Sequence, residues 1–232
     1  AVIWVYSDVY RHLGLRFVRI SFLEIWQTMK RSSSYFFSRI ASTVYGATNT
    51  FIIGFLYPNG NTVGYYTSAE KLMTTARSAF SPIADSLYPH MVQNKDFKLI
   101  KKILLVLMPI ILAGCTFVWI FAESFCVLLF GEEFRSSGRI LQLLMPVIAM
   151  TLPAYIFGFP VLSPLGLAKY ANISNIIGAV VHLTNLLVLF LIGRLTVENI
   201  CIATCITEAI VLSFRILVVV RNRGRFSLKE KE

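Results

Sequence analysis

Long apolar segments alternate with short polar segments along most of the chain. A membrane-spanning helix needs about 20 mostly apolar residues, because the hydrocarbon core of a bilayer is about 30 Å thick. Six segments meet this requirement, and we predict spanning helices near residues 36–57, 64–92, 103–122, 139–161, 171–193 and 197–220. The connecting segments carry turn residues or charge, as in the turn Pro58-Asn59-Gly60-Asn61. The pattern predicts an all-α integral membrane protein with about six transmembrane helices.

The segments outside these spans complete the predicted organisation. Residues 1–35 are expected to be the tail of a preceding helix and a basic cytoplasmic linker, with a short amphipathic helix around Ile20–Lys30. Residues 36–220 form the predicted six-helix lobe, and residues 221–232 form a basic cytoplasmic tail. The apolar residues 1–6 are too few for the core of a signal peptide, which takes about 7–15 residues.

Composition agrees with a membrane protein, and the positive charge indicates its orientation. Hydrophobic residues make up 56% of the chain and charged residues 15%, which excludes an ordinary soluble domain and a disordered chain. The net charge is +10, from 22 Lys and Arg against 12 Asp and Glu. If the spans alternate strictly, one side receives only Arg135, Arg139 and Arg194, and three further cations fall within spans: Lys71, Arg77 and Arg215. The remaining cations mark the cytoplasmic side and place the C-terminus there, so the charge requires no nucleic acid partner.

Sequence motifs give no indication of enzymatic chemistry. The three histidines lie far apart, no catalytic or nucleotide-binding motif occurs, and the four cysteines form no CxxC pair. We therefore expect a protein that is not an enzyme, with no metal site and no cofactor beyond a coupling H⁺ or Na⁺.

The second predicted span carries a polar stripe on an otherwise apolar helix. At about 100° per residue, an arc of about 120° contains Glu70, Lys71, Thr74, Arg77, Ser78, Ser81, Asp85 and Tyr88. Each charge near the bilayer centre would cost several kcal/mol if it faced lipid. The stripe therefore lines a water-filled cavity or is paired inside a bundle. A helix lying on the membrane surface is the alternative that the pattern leaves open.

Other spans show weaker polar faces, and together with this stripe they define a candidate substrate cavity. For the small polar residues, hydrogen bonding between helices is as compatible with the pattern as cavity lining. His182 fits either a packing role or a proton-carrying role. The candidate cavity residues are Arg39, Asn49, Glu70, Lys71, Arg77, Asp85, Asn175, His182, Asn185, Glu208 and Arg215.

The segment Asn49–Met91 resembles the polysaccharide-transporter branch of the multidrug/oligosaccharidyl-lipid/polysaccharide (MOP) flippase superfamily, which includes the Wzx O-antigen flippases. The resemblance rests on a span ending near Ile53-Gly54, on Val63-Gly64-Tyr65-Tyr66, on Lys71, and on the Pro82 to Tyr88-Pro89 ending. Further along, Leu128 to Phe134 and Ile140-Leu141-Gln142 resemble the outer loop and next helix of the family.

The resemblance implies a function and a set of partners. Members carry about twelve to fourteen spans in two lobes around a central cavity, so this chain would be the C-terminal lobe of a MATE-like fold. The implied substrate is a lipid-linked (undecaprenyl-pyrophosphate) oligosaccharide, moved across the bacterial inner membrane by alternating access for O-antigen synthesis. Arginine and lysine would bind the diphosphate, and carboxylates would pair with them or take up the coupling ion. The implied partners are the lipid bilayer, the N-terminal lobe, a polysaccharide polymerase and chain-length machinery.

Two alternatives remain at the level of sequence. A MATE-like drug/cation antiporter is expected to present more carboxylates and aromatic residues than cations in its cavity. A non-transporting membrane scaffold is expected to bury its polar stripes in helix contacts, with no cavity.

Overall fold

The computed structural model describes residues 21–58 and 60–226. Within those ranges the chain is built from helices, without a strand, and the predicted all-α class is confirmed. Two single 3₁₀ turns occur, at Glu132–Phe134 and Arg223–Arg225. The α-helices are α1 (Phe22–Leu56), α2 (Thr62–Asn94), α3 (Phe97–Ile120), α4 (Ala122–Phe130), α5 (Ser137–Ile156), α6 (Phe159–Leu162), α7 (Ala168–Leu191) and α8 (Val197–Arg221).

Four stretches of the described chain are long and apolar enough to cross a membrane. They are α3, α5 continued through α6 (Ser137–Leu162), α7 and α8. Helices α1 and α2 are longer, with 35 and 33 residues, but their polar residues lower their hydropathy. The protein is a multi-pass membrane protein, and the total of six spans stays a prediction.

Helix α1 differs from the sequence-based expectation. We predicted a short amphipathic helix followed by a span beginning near residue 36, whereas one helix runs from Phe22 to Leu56. No glycine or proline interrupts residues 22–45. At its start, the backbone N–H of Ser21 donates to Glu24 and the Ser21 hydroxyl accepts from the Leu23 N–H, which satisfies exposed donors of the first turn. The expectations for residues 1–20 and 227–232 lie outside the described residues.

Two other boundaries have local physical causes. The Asp96 side chain accepts from the N–H groups of Lys98 and Leu99, so α3 begins at Phe97, in the connection between the predicted spans 64–92 and 103–122. The predicted span 139–161 breaks after α5 and resumes as α6, with Pro160 near the start of α6. Proline lacks the N–H that would continue the helix, and its ring clashes with the carbonyl four residues earlier.

Helix α5 lies at the centre of the bundle formed by residues 37–226. It packs against α2, α3, α4, α6 and α8, while α7 packs against α8 and α6. Among the residues that the structure describes, the buried apolar side chains form two clusters. The first cluster includes Tyr66, Met73, Leu144, Leu186 and Cys201. The second cluster includes Met91, Ile100, Ile156, Leu162 and Val218.

On α2 and α8 a polar layer lies between the two clusters, whereas on α5 the clusters are only four residues apart, at Ile148 and Leu152. On α8, Cys201 belongs to the first cluster and Val218 to the second, a separation of about 25 Å along the helix axis. Between them, α8 carries the buried residues Thr204, Glu208 and Arg215. On α2, the polar stripe likewise continues from Met73 to Leu87, which belong to different clusters. The fold therefore brings polar residues of several helices to one level between two apolar layers.

Candidate functional site: a polar cavity between the helices

A cavity of about 640 Å³ lies at the level of this polar layer. Helices α1, α2, α5, α6, α7 and α8 all contribute to its wall, together with Gly158 from the break between α5 and α6. The lining polar and aromatic residues are Arg39, Tyr45, Arg77, Ser81, Asp85, Tyr155, Phe159, Asn175, Thr207, Glu208 and Arg215. Its volume and its few convergent polar groups are typical of a ligand-binding site.

An ion pair joins α2 to α8 at the cavity. One terminal nitrogen of Arg77 lies 3.1 Å from Oε1 of Glu208, and the side chains are 20% and 10% exposed. The hydroxyl of Tyr45, on α1, donates to the same carboxylate oxygen at 3.3 Å. A buried carboxylate is tolerated when it is paired and hydrogen-bonded, and both conditions are met here. The ion pair and the Tyr45 hydrogen bond therefore link three helices at the cavity, while the Arg77 side chain keeps 20% of its surface exposed.

Arg215 has a different environment, because its partners are neutral. Its Nε donates to the hydroxyl of Ser174 at 2.8 Å, and its Nη1 donates to the carbonyl of Ala154 at 2.6 Å. Its Nη2 donates to Oδ1 of Asn175 at 2.7 Å. The Asn175 amide then donates to the hydroxyl of Ser38 on α1 at 3.0 Å. Arg215 thus connects α8 to α5, α7 and, through Asn175, α1.

The cavity has a formal positive charge. Its wall contains three arginines and two carboxylates, Asp85 and Glu208, which gives a formal charge of +1. Asp85 is exposed and accepts a hydrogen bond from Ser81 at 3.0 Å, so it is solvated and fixed to its own helix. Arg39 is also exposed. The charge balance favours an anionic ligand over a cationic one.

Next to the cavity, a buried hydrogen-bond network contains two of the predicted site residues. The amide of Asn49 donates to the Thr204 hydroxyl at 3.1 Å, and its carbonyl oxygen lies 2.8 Å from Nε2 of His182. His182 is fully buried, with the Tyr45 ring edge-on at a centroid distance of 4.6 Å and the Thr207 hydroxyl 3.4 Å from its Nδ1. These contacts join α1, α7 and α8. Asn49 and His182 therefore form hydrogen bonds between helices, which was one of the two roles that the sequence left open.

The other predicted residues lie away from the cavity wall. Glu70 accepts from the hydroxyls of Thr50 at 3.1 Å and Tyr66 at 3.5 Å. Lys71 is exposed, and Asn185 is partly buried, with an Nδ2 that has no hydrogen-bond partner within the described part of the chain. The predicted residues that do line the cavity are Arg39, Arg77, Asp85, Asn175, Glu208 and Arg215.

Several residues of the site were not predicted. Tyr45 precedes Asn49 by one helical turn, so the spacing that selected Asn49 also contained the signal for Tyr45. Ser38 and Ser174 have small hydroxyls that are common in any span, so no pattern distinguishes them. Tyr155 enters the wall because α5 ends there, and a break of that kind is a property of the tertiary fold.

Comparisons with known proteins point to polysaccharide biosynthesis. A family model described as "Polysaccharide biosynthesis protein" matches residues 1–95. A Shigella dysenteriae protein, named as a candidate O-antigen transporter, is 25% identical to this chain over 162 residues. The match covers 67% of this chain and 40% of the relative, so the chain spans about two-fifths of the length of that curated relative. No solved structure matches the chain. The matches confirm the resemblance to Wzx-like polysaccharide transporters that the sequence shows.

Proposed function

We propose that this chain, a relative of polysaccharide biosynthesis proteins, forms one lobe of a flippase that moves a lipid-linked (undecaprenyl-pyrophosphate) oligosaccharide across the bacterial cytoplasmic membrane. The observation that carries the proposal is the cavity with its three arginines, located between two apolar layers of a membrane-embedded bundle. Charged residues at such a depth are costly and mark substrate pathways. The O-antigen transporter named among the relatives supports the substrate class.

The cavity chemistry suits the two parts of this substrate. A diphosphate is recognised best by guanidinium groups, which donate several hydrogen bonds and carry a permanent charge. Arg39 and Arg77 offer these groups, because each keeps exposed surface in the cavity wall. The hydroxyls and amides of Tyr45, Tyr155 and Asn175 are suited to the hydroxyl groups of sugars.

The predicted orientation supports entry from the cytoplasm. With the C-terminus inside, α2, α5 and α8 end at the cytoplasmic side, and α7 begins there. Gly158 follows the end of α5, and Arg215 lies six residues, about 9 Å, before the end of α8. We therefore propose that the cavity extends towards the cytoplasmic ends of these helices, in a lobe that works by alternating access.

The same observations weigh against the alternatives. A scaffold without transport activity has no need of a charged cavity of about 640 Å³. A pocket for organic cations would carry more carboxylates than arginines, and here the arginines outnumber the carboxylates. We further propose that no enzymatic step is involved, that a second lobe completes the pathway, and that polymerase and chain-length proteins act on the translocated unit. The coupling ion, H⁺ or Na⁺, belongs to the same proposal.

Replacement of Arg77 by alanine in the complete natural protein tests the function. Surface glycan should fall to background while membrane insertion persists, because the carboxylate pair and the anion contact are both lost. Arg77→Lys keeps a point charge and should retain part of the glycan. Lys101→Ala, which removes an exposed cation of α3 away from the cavity, is the control and should leave glycan unchanged. Normal glycan in Arg77→Ala would refute the proposal, and a loss of drug resistance instead would favour the antiporter.

Single cysteines test the proposed orientation. A thiol-reactive reagent that does not cross membranes should label Gly60→Cys from the outer face of the cytoplasmic membrane. It should label Lys169→Cys only after the cytoplasmic face is exposed in inverted vesicles. Both positions are exposed, so accessibility through the protein does not limit either reaction. Labelling with the sides exchanged would show that the orientation is reversed.

A further inference from the structure

Arg215 occupies the position where the regular hydrogen bonding of α5 stops. In a continuous helix the Ala154 carbonyl would accept from the N–H of Gly158, four residues later. Here the Gly158 N–H donates to Tyr155 instead, at 3.1 Å, which leaves the Ala154 carbonyl for Nη1 of Arg215 at 2.6 Å. The guanidinium thus replaces the missing helical bond. The end of a helix also carries partial negative charge, which stabilises a nearby cation.

Gly158 has no side chain at the place where Arg215 approaches. A Cβ atom at position 158 would lie 3.0 Å from Nη1 of Arg215 and 3.1 Å from the carbonyl oxygens of Ala154 and Tyr155. Both distances are shorter than ordinary contacts, so a Cβ would force the guanidinium or the end of α5 to move by a few tenths of an ångström. The approach of Arg215 therefore depends on glycine at this position.

The donors of Arg215 are directed to the protein more than to the cavity. Three of its five N–H groups bond to Ser174, Ala154 and Asn175, and the residue is only 9% exposed. Arg77 differs, because its ion-pair partner is a carboxylate and the residue is only partly buried. An anion in the cavity thus finds Arg39 and Arg77 more accessible than Arg215.

We propose that Arg215 is a positioning residue, admitted by Gly158, that ties the broken end of α5 to α7 and α8 and thereby keeps the cavity open. Its place in transport rests on the function proposed above, but its effect on cavity shape does not. The guanidinium fills the space between Ala154 and Asn175, two residues of the cavity wall. Without the guanidinium of Arg215, we expect the Ala154 carbonyl and the Asn175 side chain to move towards other hydrogen-bond donors of the cavity wall, which narrows the cavity.

The test measures cavity access directly. The reporter is Ser81→Cys, an isosteric change in the cavity wall, in the complete natural protein with its native cysteines replaced by alanine. Its rate of reaction with a small, membrane-impermeant methanethiosulfonate is followed in inverted vesicles and normalised to inserted protein. Arg215→Lys should lower this rate by about tenfold or more, the effect expected from losing one hydrogen bond of a charged donor. Gly158→Ala should also lower the rate, by a smaller factor, because its Cβ shifts the guanidinium or the end of α5. Gly114→Ala, where an added Cβ meets nothing within 4 Å, is the matched control and should label at the parent rate.

Lysine at position 215 separates positioning from anion binding. It keeps the charge but not the planar fork, so a direct phosphate ligand would retain part of its function as lysine without any change in cavity access, whereas the loss of a positioning residue would also lower cavity access. Loss of both labelling and surface glycan in Arg215→Lys and Gly158→Ala supports the proposal. A parent labelling rate in either variant overturns it, and if Arg215→Lys does not insert, Gly158→Ala decides. The labelling needs no substrate, so a failed flippase assignment, shown by normal glycan in Arg77→Ala, leaves this result interpretable.

Discussion

Removal of the Glu208 carboxylate would leave a partly buried arginine without its counter-charge. Glu208→Ala deletes the group that lies 3.1 Å from the Arg77 guanidinium and also the acceptor of the Tyr45 hydroxyl. Breaking a buried ion pair from one side costs about 3–5 kcal/mol, because the remaining charge stays in a low dielectric. The Arg77 side chain is 20% exposed, so water in the cavity hydrates part of it. We therefore expect a loss at or just below the lower end of that range, about 2–3 kcal/mol.

A double-mutant cycle in detergent measures how much of this loss belongs to the pair. Thermal unfolding of Glu208→Ala, Arg77→Ala and the double variant should give a coupling of about 1–2 kcal/mol, since the second removal no longer strands a charge. Lys71→Ala is the control, because Lys71 is an exposed cation on the same helix and should be additive with Glu208→Ala within about 0.5 kcal/mol. A coupling of Arg77 with Glu208 below about 0.5 kcal/mol would refute the pairing that defines this side of the cavity.

Three further changes test the packing around the cavity by thermal unfolding. Gly138→Ala should cost about 1–3 kcal/mol, because its Cβ would lie 2.6 Å from a backbone atom of α4, while Gly114→Ala, in open space, should not destabilise. Asp96→Ala should cost about 1 kcal/mol by removing the cap of α3, and Asp96→Asn should retain most of the stability. Thr204→Val should cost about 1–3 kcal/mol, because it removes the hydroxyl that accepts from the buried amide of Asn49, and an unchanged melting temperature would contradict that hydrogen bond.

The linear pattern predicted the helices better than it predicted their ends. Apolar length located α3, α7 and α8, because a bilayer demands long uninterrupted apolar helices. It missed the early start of α1, because the capping contacts of Ser21 and Glu24 carry no hydrophobicity signal. It also missed the break after α5, although Pro160 was visible, because prolines within α2 and α5 are tolerated without ending those helices.

Polar periodicity located part of the site. The stripe on α2 predicted that Arg77 and Asp85 face a common space, and both line the cavity. The same arc contained Lys71, which is exposed outside it, because an arc of about 120° on a helix spans more than one neighbour. Periodicity defines a face, but it does not define which helix covers that face.

The sequence by itself determined that this is an all-α membrane protein whose charges lie mainly beyond the spans. It also determined which residues are too polar for lipid, because the cost of a charge in hydrocarbon does not depend on the fold. The tertiary structure alone decided which of those residues form ion pairs and which form hydrogen bonds to neutral groups. Arg77 pairs with a carboxylate 131 positions away, and Arg215 replaces a hydrogen bond at the end of α5. Partner choice depends on distances between helices, and the packing of α2, α5, α7 and α8 sets those distances.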